Sequence, residues 1–265
     1  MKRLDGKVAI ITGGAGGIGS AAARIFAREG AVVVVADLNE KDGAALEAEI
    51  RAAGNKCFFR KCDVSSGESV RAVLAFCRDE LGGLDVIYNN AGVYLANRDN
   101  RITDIDEAIW EKVMAINLRS VFLFCKYGIP LLMERGKGAI INTASSAGMI
   151  GIPNCDAYTA TKGAIVQLTK SLAAEYGRYN IRTNCISPAA IMTPMVRQSN
   201  LDDDTFDAES FLKLRTPLRR FGTPEEVAQV ALFLASDAAS YLNGAVIATD
   251  GGITINGDLS KIKRD

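Results

Sequence analysis

The chain contains no histidine among its 265 residues, and this absence narrows the chemistry that the protein can perform. Histidine is the side chain that most often transfers protons near neutral pH, so an acid or base must be sought among Tyr, Lys, Cys, Asp and Glu. Zinc sites usually include histidine, and the six cysteines form no C-x-x-C pair. We therefore expect no metal site, and we expect the cysteines to be reduced thiols.

Long apolar runs and an excess of either charge are also missing. The 31 basic and 31 acidic residues balance, and no basic stripe of the kind that binds nucleic acid is present. No apolar run approaches a membrane-spanning length, and no signal peptide precedes the first apolar segment. We therefore expect a cytoplasmic protein without nucleic-acid or membrane partners, in which residues 1–265 form a single domain.

Short apolar runs that suit buried parallel strands alternate with longer segments of helical periodicity. The sequence predicts a single α/β unit, a Rossmann-type doubly wound parallel sheet of about seven strands with helices on both faces. The predicted strands are Val8–Thr12, Val32–Ala36, Cys57–Lys61, Asp85–Tyr88, Gly138–Thr143, Arg182–Ile186 and Ala245–Thr249. The predicted helices are Gly17–Glu29, Glu40–Ala53, Glu68–Leu81, Asp106–Tyr127, Ala157–Tyr179 and Pro224–Ser236.

A glycine-rich turn follows the first predicted strand and runs directly into a predicted helix. Its glycines have the spacing G-x-x-x-G-x-G, at Gly13, Gly17 and Gly19, with Ile18 between the last two. Glycines let backbone N–H groups approach a pyrophosphate, which the positive end of the following helix attracts. The turn therefore predicts a dinucleotide site, although its spacing differs from the common G-x-G-x-x-G.

Asp37 ends the second strand, 18 residues after Gly19. A carboxylate at that position accepts hydrogen bonds from ribose hydroxyls and repels a 2′-phosphate. The glycine turn contains no Lys or Arg to offset this repulsion. The sequence therefore predicts NAD as cofactor, with Asp37 and the adjacent Leu38 at the adenosine. A plain turn or cap role for Asp37 is the alternative.

Tyr158 and Lys162 lie four residues apart in a predicted helix, and Ser145 lies thirteen residues before Tyr158. Residues at this spacing share one helix face, so the ammonium would favour the phenolate. Moving a phenol pKa from about 10 to about 7 takes roughly 4 kcal/mol. The pair predicts a Tyr that transfers protons near neutral pH. A packed Tyr beside a solvated Lys is the alternative.

Together these motifs resemble the short-chain dehydrogenase/reductase family over essentially the whole length, from Gly6 to about Asn256. Residues 12–19 match the family's T-G-x-x-x-G-x-G, residues 89–92 match N-N-A-G, and residues 158–162 match Y-x-x-x-K. The resemblance implies the catalytic tetrad Asn117, Ser145, Tyr158 and Lys162, with Ser146 as the alternative hydroxyl. It also implies that Asn117 holds a water linked to Lys162. Burying an Asn in an apolar helix is costly unless it is hydrogen-bonded.

The resemblance implies the remaining cofactor contacts as well. Asp63 and Val64 would lie at the adenine, with a helix cap as the alternative for Asp63. Asn90 would line the ribose or, alternatively, brace neighbouring strands. The other implied cofactor residues are Ala91, Gly92, Tyr158, Lys162, Pro188, Ile191 and Thr193.

Substrate contacts are expected from two variable regions. Residues of about 190–220 resemble the family's mobile substrate loop, in which Phe206, Phe211 and Leu214 either face the pocket or pack the loop. Residues 94–105 are unusually long and charged, and we expect them to form part of the pocket rim. The candidate substrate residues are Tyr94, Ser145, Ile150, Ile152, Cys155 and Met195, whose mostly apolar character favours a small cyclic or hydrophobic alcohol.

The predicted activity is reversible hydride transfer between a secondary alcohol or ketone and NAD(H), with Tyr158 as acid and base. The alternatives are a methyltransferase on a similar sheet, a non-catalytic protein that senses NAD, and a reductase of 3-oxoacyl thioesters. The helices predicted at Asp106–Tyr127 and Ala157–Tyr179 carry more apolar surface than one core contact needs. That surface indicates an interface, and the resemblance implies a homotetramer or a homodimer.

Overall fold

The structure is a computed structural model, and it describes residues 2–96, 98–197 and 207–256. Seven parallel strands form one sheet in the order β3-β2-β1-β4-β5-β6-β7. The strands are β1 Val8–Thr12, β2 Val32–Asp37, β3 Cys57–Lys61, β4 Val86–Asn89, β5 Gly138–Thr143, β6 Ile181–Pro188 and β7 Val246–Thr249. The predicted doubly wound sheet is confirmed, and each predicted strand lies within two residues of an observed one.

Helices cover both faces of the sheet. They are α1 Gly17–Arg28, α2 Glu40–Ala52, α3 Gly67–Leu81, α4 Glu107–Val113, α5 Ser120–Glu134, α6 Asp156–Tyr176, α7 Pro194–Val196, α8 Ala208–Arg215 and α9 Pro224–Ala235. Side chains of a strand alternate between faces, so β1 places Ala9 and Ile11 in the core under α1 and α9. Val8 and Ile10 point to the opposite core under α3 and α5. The sheet therefore separates two apolar cores.

Helix α5 corrects the prediction that this helical region ends at Tyr127. The helix continues through Pro130 to Glu134. A proline inside a helix costs about 3 kcal/mol, because it removes a hydrogen bond and clashes with the preceding turn. Burying an aliphatic side chain contributes about 1.5–3 kcal/mol, and three such side chains around the proline are buried. They are Ile129, Leu131 and Leu132. Tertiary packing therefore outweighs the local penalty.

The continuous helical stretch Glu107–Glu134 includes a π-helical segment, Met114–Arg119, between α4 and α5. Within the described residues, this stretch is the one helix that is long and apolar enough, by length and composition, to cross a membrane. The sequence alone did not predict this feature. However, 56% of its most apolar window is buried against the rest of the protein. Core helices of globular proteins meet the same criteria, and Val121, Phe124 and Leu132 are core residues.

The order of the strands defines where a ligand can bind. The chain crosses from β3 at one edge back to β4 beside β1, and in such sheets ligands occupy the crevice beyond the carboxyl ends at this switch point. Thr12 ends β1, and its Oγ1 accepts the N–H groups of Asn90 and Ala91, each at 3.0 Å. These two hydrogen bonds hold together the two chain segments that line the crevice.

All six cysteines are buried and free. Burial raises their pKa, for Cys57 and Cys77 to about 12. A thiol with such a pKa is protonated and unreactive at neutral pH. The cysteines therefore act as small core side chains.

Candidate active site

The glycine turn between β1 and α1 is so closely packed at Gly13 and Gly19 that side chains would not fit there. Gly13 has φ +61°, and a Cβ there would lie 2.8 Å from the Cα of Ala91. A Cβ at Gly19 would lie 2.2 Å from the carbonyl oxygen of Gly13. Helix α1 starts after Gly16, which provides no side-chain cap, and its first turn contains no acidic residue. The N–H groups at this helix end therefore fit an anionic group such as a pyrophosphate.

Asp37 lies beside this turn and ties it to the end of β2. One carboxylate oxygen accepts the N–H of Ala15 at 3.0 Å, and the other accepts the N–H of Asn39 at 3.0 Å. Each carboxylate oxygen has a second lone pair, so the side chain can still accept hydrogen bonds from ribose hydroxyls. The turn role and the predicted cofactor role are therefore compatible. Leu38, next to it, is 59% exposed.

Asn90 braces neighbouring chain segments, which is the alternative role predicted for it. Its Nδ2 donates to the carbonyl oxygens of Thr12 at 3.1 Å and Gly13 at 3.2 Å. These bonds fix the end of β1 and the start of the glycine turn against the segment after β4. Ala91 and Gly92 continue this segment, and the close contact of Ala91 with Gly13 brings the N-N-A-G motif against the glycine turn.

Asp63 is exposed after β3, and it is not the cap of α3. Its Oδ1 accepts the N–H and the hydroxyl of Ser65, at 2.9 and 2.7 Å, whereas Ser66 is the residue that caps the helix. Val64 is only 8% exposed and packs in the core under α3. The adenine contacts of both residues remain predictions.

The segment after β6 lies across the crevice from the glycine turn. Pro188 ends the strand, and Ile191 pairs with Gly222 in an isolated bridge. Thr193 Oγ1 accepts the N–H of Val196 at 3.3 Å and so caps α7. A Cβ at Gly17 would lie 3.5 Å from the Thr193 side chain. The structure thus brings together the segment predicted to hold the pyrophosphate and the segment predicted to border the nicotinamide.

Ser145 and Tyr158 meet at the carboxyl end of β5. The Ser145 hydroxyl lies near the Tyr158 phenol, and its oxygen accepts the N–H of Ala147 at 3.3 Å. Ser146, the alternative, is 5% exposed and follows in a short 3₁₀ turn. Burial raises the pKa of Tyr158 to about 12, although the nearby Ser145 hydroxyl partly offsets this. The phenol is therefore protonated at neutral pH in this structure.

Lys162 lies behind the phenol on the same helix. Its side chain is almost fully buried, and its Nζ lies 5.5 Å from the centre of the Tyr158 ring. Nζ donates to the carbonyl oxygen of Thr143 at 2.9 Å. Burial lowers the pKa of Lys162 to about 8. The sequence predicts that Lys162 lowers the pKa of Tyr158, and this effect remains a prediction; in the structure burial has the largest influence on that pKa and raises it.

Replacing Lys162 with Met tests whether burial lowers the pKa of Lys162, because a lowered pKa makes the free energy of unfolding depend on pH. The folded pKa of about 8 lies below the ordinary value of 10.5, so between these values the unfolded chain binds more protons than the folded one. The free energy of unfolding of the wild type, relative to Lys162→Met, should therefore rise by at most about 1.4 kcal/mol per pH unit above pH 8. Below pH 8 the difference should be constant.

Urea unfolding of both proteins at several pH values measures this difference. Comparing the two proteins cancels the opposing contribution of the buried thiols, which both retain, apart from Cys185, whose pKa the charge of Lys162 lowers. A difference that does not change between pH 8 and 10 would contradict the lowered pKa of Lys162.

Asn117 lies in the π-helical segment, a geometry that often marks functional sites. Its Oδ1 accepts the N–H of Val93 at 2.8 Å, and its Nδ2 donates to the Val93 carbonyl at 3.0 Å and to Thr161 Oγ1 at 3.3 Å. A Cβ at Gly92 would lie 3.4 Å from both Asn117 Oδ1 and Lys162 Nζ. The side-chain amide is therefore bound to protein, and the water contact of Asn117 remains a prediction.

The candidate substrate residues surround Tyr158 to different extents. The rings of Tyr94 and Tyr158 are 5.3 Å apart, so Tyr94 lies directly at the phenol. Cys155 is 2% exposed, and its Sγ donates to the carbonyl of Ile152 at 3.3 Å. Met195 is half-buried in α7. The substrate contacts of these residues remain predictions.

In the predicted substrate loop, the ring of Phe211 stacks on Phe221 at 6.4 Å, and Leu214 is 51% exposed. Phe211 therefore packs the loop against the body, which was one of its two expected roles. Phe206 and the rest of 198–206 lie outside the described residues.

One buried carboxylate near the site was not identified from the sequence. Asp99 is 4% exposed, and its two oxygens accept the N–H groups of Ala157 and Tyr158. The sequence offered only a weak signal, the charged and unusually long segment 94–105.

The arrangement of a glycine turn, a seven-stranded sheet and a Ser-Tyr-Lys cluster agrees with sequence comparisons. A family model described as enoyl-(acyl carrier protein) reductase matches residues 13–254. The chain belongs to the short-chain dehydrogenase/reductase family. A 2,5-dichloro-2,5-cyclohexadiene-1,4-diol dehydrogenase of Sphingobium indicum is 40% identical over 255 residues, which cover 96% of this chain and 99% of that protein.

Two further members of the family are similar over nearly the whole chain. A cyclohexanol dehydrogenase of Acinetobacter sp. is 37% identical over 95% of this chain and 96% of its own length. The crystal structure of levodione reductase superposes with a TM-score of 0.90 at 37% identity, covering 96% of this chain and 100% of that one. This short-chain dehydrogenase/reductase is thus an oxidoreductase that uses a nicotinamide cofactor. The predicted family and reaction class are confirmed, and the methyltransferase alternative is removed.

Proposed function

We propose that the protein is an NAD-dependent dehydrogenase of small cyclic or hydrophobic secondary alcohols. The observation that carries the proposal is the position of Tyr158, whose ring centre lies 5.5 Å from the Nζ of the buried Lys162 and whose phenol lies near Ser145. The names of the two curated relatives support the substrate class, because both are dehydrogenases of six-membered cyclic alcohols or diols.

The proposed mechanism assigns one role to each polar side chain. Since the Ser145 hydroxyl lies near the Tyr158 phenol, a substrate oxygen can contact both. In oxidation, Tyr158 as phenolate takes the alcohol proton as the hydride leaves the adjacent carbon. In reduction, the protonated phenol gives that proton back. Proton transfer by a placed side chain contributes about 100- to 10,000-fold in rate.

Lys162 supplies the charge that favours the phenolate. At an effective dielectric constant of about 20, a unit charge 5.5 Å away, the distance from Nζ to the centre of the ring, stabilises an anion by about 3 kcal/mol. That figure corresponds to roughly two pKa units. Lys162 therefore offsets roughly the rise of the Tyr158 pKa from 10.0 to about 12, and a further fall toward neutral pH would have to come from the positive charge of the bound cofactor. In this proposal the Asn117 backbone holds the water through which Lys162 exchanges protons with solvent.

The cofactor, when bound, supplies the carbon that accepts the hydride and a positive charge near the phenol. Residues 13–19 would hold its pyrophosphate, and Asp37 would accept hydrogen bonds from the adenosine ribose. Tyr158 and Lys162 would also contact the nicotinamide half. The remaining proposed contacts are Leu38, Asp63, Val64, Asn90, Ala91, Gly92, Pro188, Ile191 and Thr193. The carboxylate of Asp37 beside the glycine turn is the reason for proposing NAD over NADP.

Assays of purified protein against a panel of secondary alcohols test the proposed function. NADH formation should be fastest with cyclic alcohols, slower with aliphatic, sugar and steroid alcohols, and slower with NADP than with NAD. Preference for a sugar or a steroid alcohol would contradict the proposed substrate class. Tight NAD binding with no turnover of any panel member would favour the sensor alternative instead.

Reduction of 3-oxoacyl thioesters is the second candidate activity. The name of another relative favours it, a 3-oxoacyl-[acyl-carrier-protein] reductase of Thermotoga maritima that is 38% identical over 96% of this chain. The same assay run in reverse, with NADH and a 3-oxoacyl thioester, distinguishes the two. Turnover of the thioester as fast as that of a cyclic ketone would favour this second activity.

We also propose that the protein is a cytoplasmic homotetramer or homodimer, with α4–α5 and α6 at the interface. On α5, Phe122 and Met133 are 49% and 38% exposed, a large apolar exposure for one helix. Light scattering gives the mass of the assembly. A monomer at micromolar concentration would contradict this proposal.

A further inference from the structure

The first turn of α6 is held by a carboxylate from outside the helix. Asp99 Oδ1 accepts the N–H of Ala157 at 3.1 Å, and Oδ2 accepts the N–H of Tyr158 at 2.8 Å. The N–H groups of a first helical turn have no partner within the helix, so each needs one from elsewhere. Asp99 provides it for the catalytic Tyr itself and for the residue before it.

The helix supplies no such cap of its own. Cys155 is the residue at the cap position, and its side chain makes no capping bond. Its Sγ contacts the Ile152 carbonyl and Thr159 Oγ1 instead. The N–H of Asp156 donates to the carbonyl of Asn100 at 3.2 Å. Residues 99 and 100 therefore bind three successive N–H groups at the start of α6.

The Asp99 side chain is buried, so its carboxylate needs these hydrogen bonds. The residue is 4% exposed, and a buried carboxylate is costly unless charge-assisted hydrogen bonds and a helix N-terminus compensate it. On its other side, the carbonyl of Tyr158 accepts the hydroxyl of Thr161 at 2.7 Å, and Thr161 Oγ1 in turn accepts from Asn117 Nδ2. The backbone of Tyr158 is thus fixed at both its N–H and its C=O.

The segment that carries Asp99 is itself anchored. The N–H groups of Arg98 and Asp99 both donate to the carbonyl of Leu95, at 3.0 and 2.8 Å. Leu95 packs against a small apolar cluster that includes Ala157 of α6. Tyr94, at the start of the segment, places its ring against that of Tyr158. The segment 94–105, which we call the rim segment, therefore contacts both the ring and the backbone of Tyr158.

We propose that Asp99 is a positioning residue that sets the place of the Tyr158 phenol relative to Ser145 by fixing the backbone of the first turn of α6. The proposal rests on the proposed function of Tyr158 as acid and base. It assigns a role to the rim segment beyond lining the pocket, because loss of the Asp99 carboxylate would loosen the phenol without removing any group that contacts the cofactor.

Kinetics of Asp99→Ala, Asp99→Asn and Asp106→Ala test the proposal. Displacing a reacting group by about 1 Å lowers the rate by roughly a hundredfold, so kcat of Asp99→Ala should fall about 10- to 100-fold. Asp99→Asn keeps one acceptor oxygen and should lose less. The affinity for NADH, measured by fluorescence, should stay within about twofold of the wild type. Asp106→Ala removes the carboxylate cap of α4, which accepts the N–H of Ala108 at 2.7 Å, and should keep kcat.

Two kinetic outcomes would overturn the proposal: a kcat of folded Asp99→Ala within about twofold of the wild type, or an equal loss in Asp106→Ala. If the Ala variant does not fold, Asp99→Asn decides by amide hydrogen exchange, which should speed up at Ala157 and Tyr158. Unchanged exchange there would overturn the positioning role whether or not a substrate is known. Absence of turnover in the wild type, by contrast, would count against the proposed function alone.

Discussion

Replacing Tyr158 with Phe is expected to lower kcat by about 100- to 10,000-fold while lowering the affinity for NADH far less, because one of many cofactor contacts is lost. The substitution removes only the hydroxyl, which lies near Ser145. It retains the ring that packs against Tyr94, so the pocket should keep its shape. Steady-state kinetics with the best alcohol of the panel, together with a fluorescence titration of NADH, measures both quantities.

Tyr176→Phe is the matched control, because it makes the same change at the last residue of the same helix. Tyr176 packs beside Tyr179, far along the helix from the Ser-Tyr-Lys cluster. Its variant should turn over at the wild-type rate. If Tyr158→Phe retained more than about a tenth of the wild-type kcat, another group would have to be the acid and base.

The raised pKa of Tyr158 favours one direction of the reaction, the reduction of a ketone. Burial holds the Tyr158 phenol protonated, with its pKa raised to about 12, and a protonated phenol is the species that donates to a ketone oxygen. Oxidation requires the phenolate, and therefore a shift of several pKa units, at about 1.4 kcal/mol for each unit. We expect the rate of alcohol oxidation to rise with pH through the neutral range, since the fraction of phenolate rises.

The features that the sequence predicted well are those that depend on local pattern. The run Val32–Val35 is too short for a helix and apolar on both faces, and it forms the buried strand β2. The glycine turn was predicted from spacing, and its close contacts show why Gly13 and Gly19 accept no side chain. Ser145 was favoured over Ser146 by its distance from Tyr158 along the chain, and Ser145 is the one that reaches the phenol.

The features that the sequence did not predict depend on partners far away along the chain. Asp99 is one charged residue in a charged segment, and only the folded structure shows that it reaches α6, 58 residues away. The helix through Pro130 persists because of side chains buried against the sheet, which local propensity does not describe. The sequence showed the charge of Lys162 but not the burial of Tyr158 and Lys162, which raises the pKa of the first and lowers the pKa of the second.

Replacing Asp37 with Asn is expected to lower the preference for NAD over NADP by about a hundredfold, measured as the ratio of kcat/KM values. The carboxylate lies beside the glycine turn, where it binds the N–H of Ala15. Two unit charges of equal sign about 4 Å apart repel by about 4 kcal/mol at an effective dielectric constant of 20, which is more than the expected change requires. Asn retains an acceptor oxygen for Ala15 and removes the charge.

Asp42→Asn provides the control, because it removes a carboxylate from the first turn of α2, five residues beyond Asp37. The Asp42 side chain accepts from Asn39 Nδ2 at 2.7 Å, so the control likewise keeps an acceptor oxygen for a local hydrogen bond and removes the charge. Its cofactor ratio should match the wild type. An Asp37→Asn variant with an unchanged ratio would show that the charge of Asp37 does not discriminate between the cofactors, and the preference would then have to come from the shape of the adenosine pocket around Leu38.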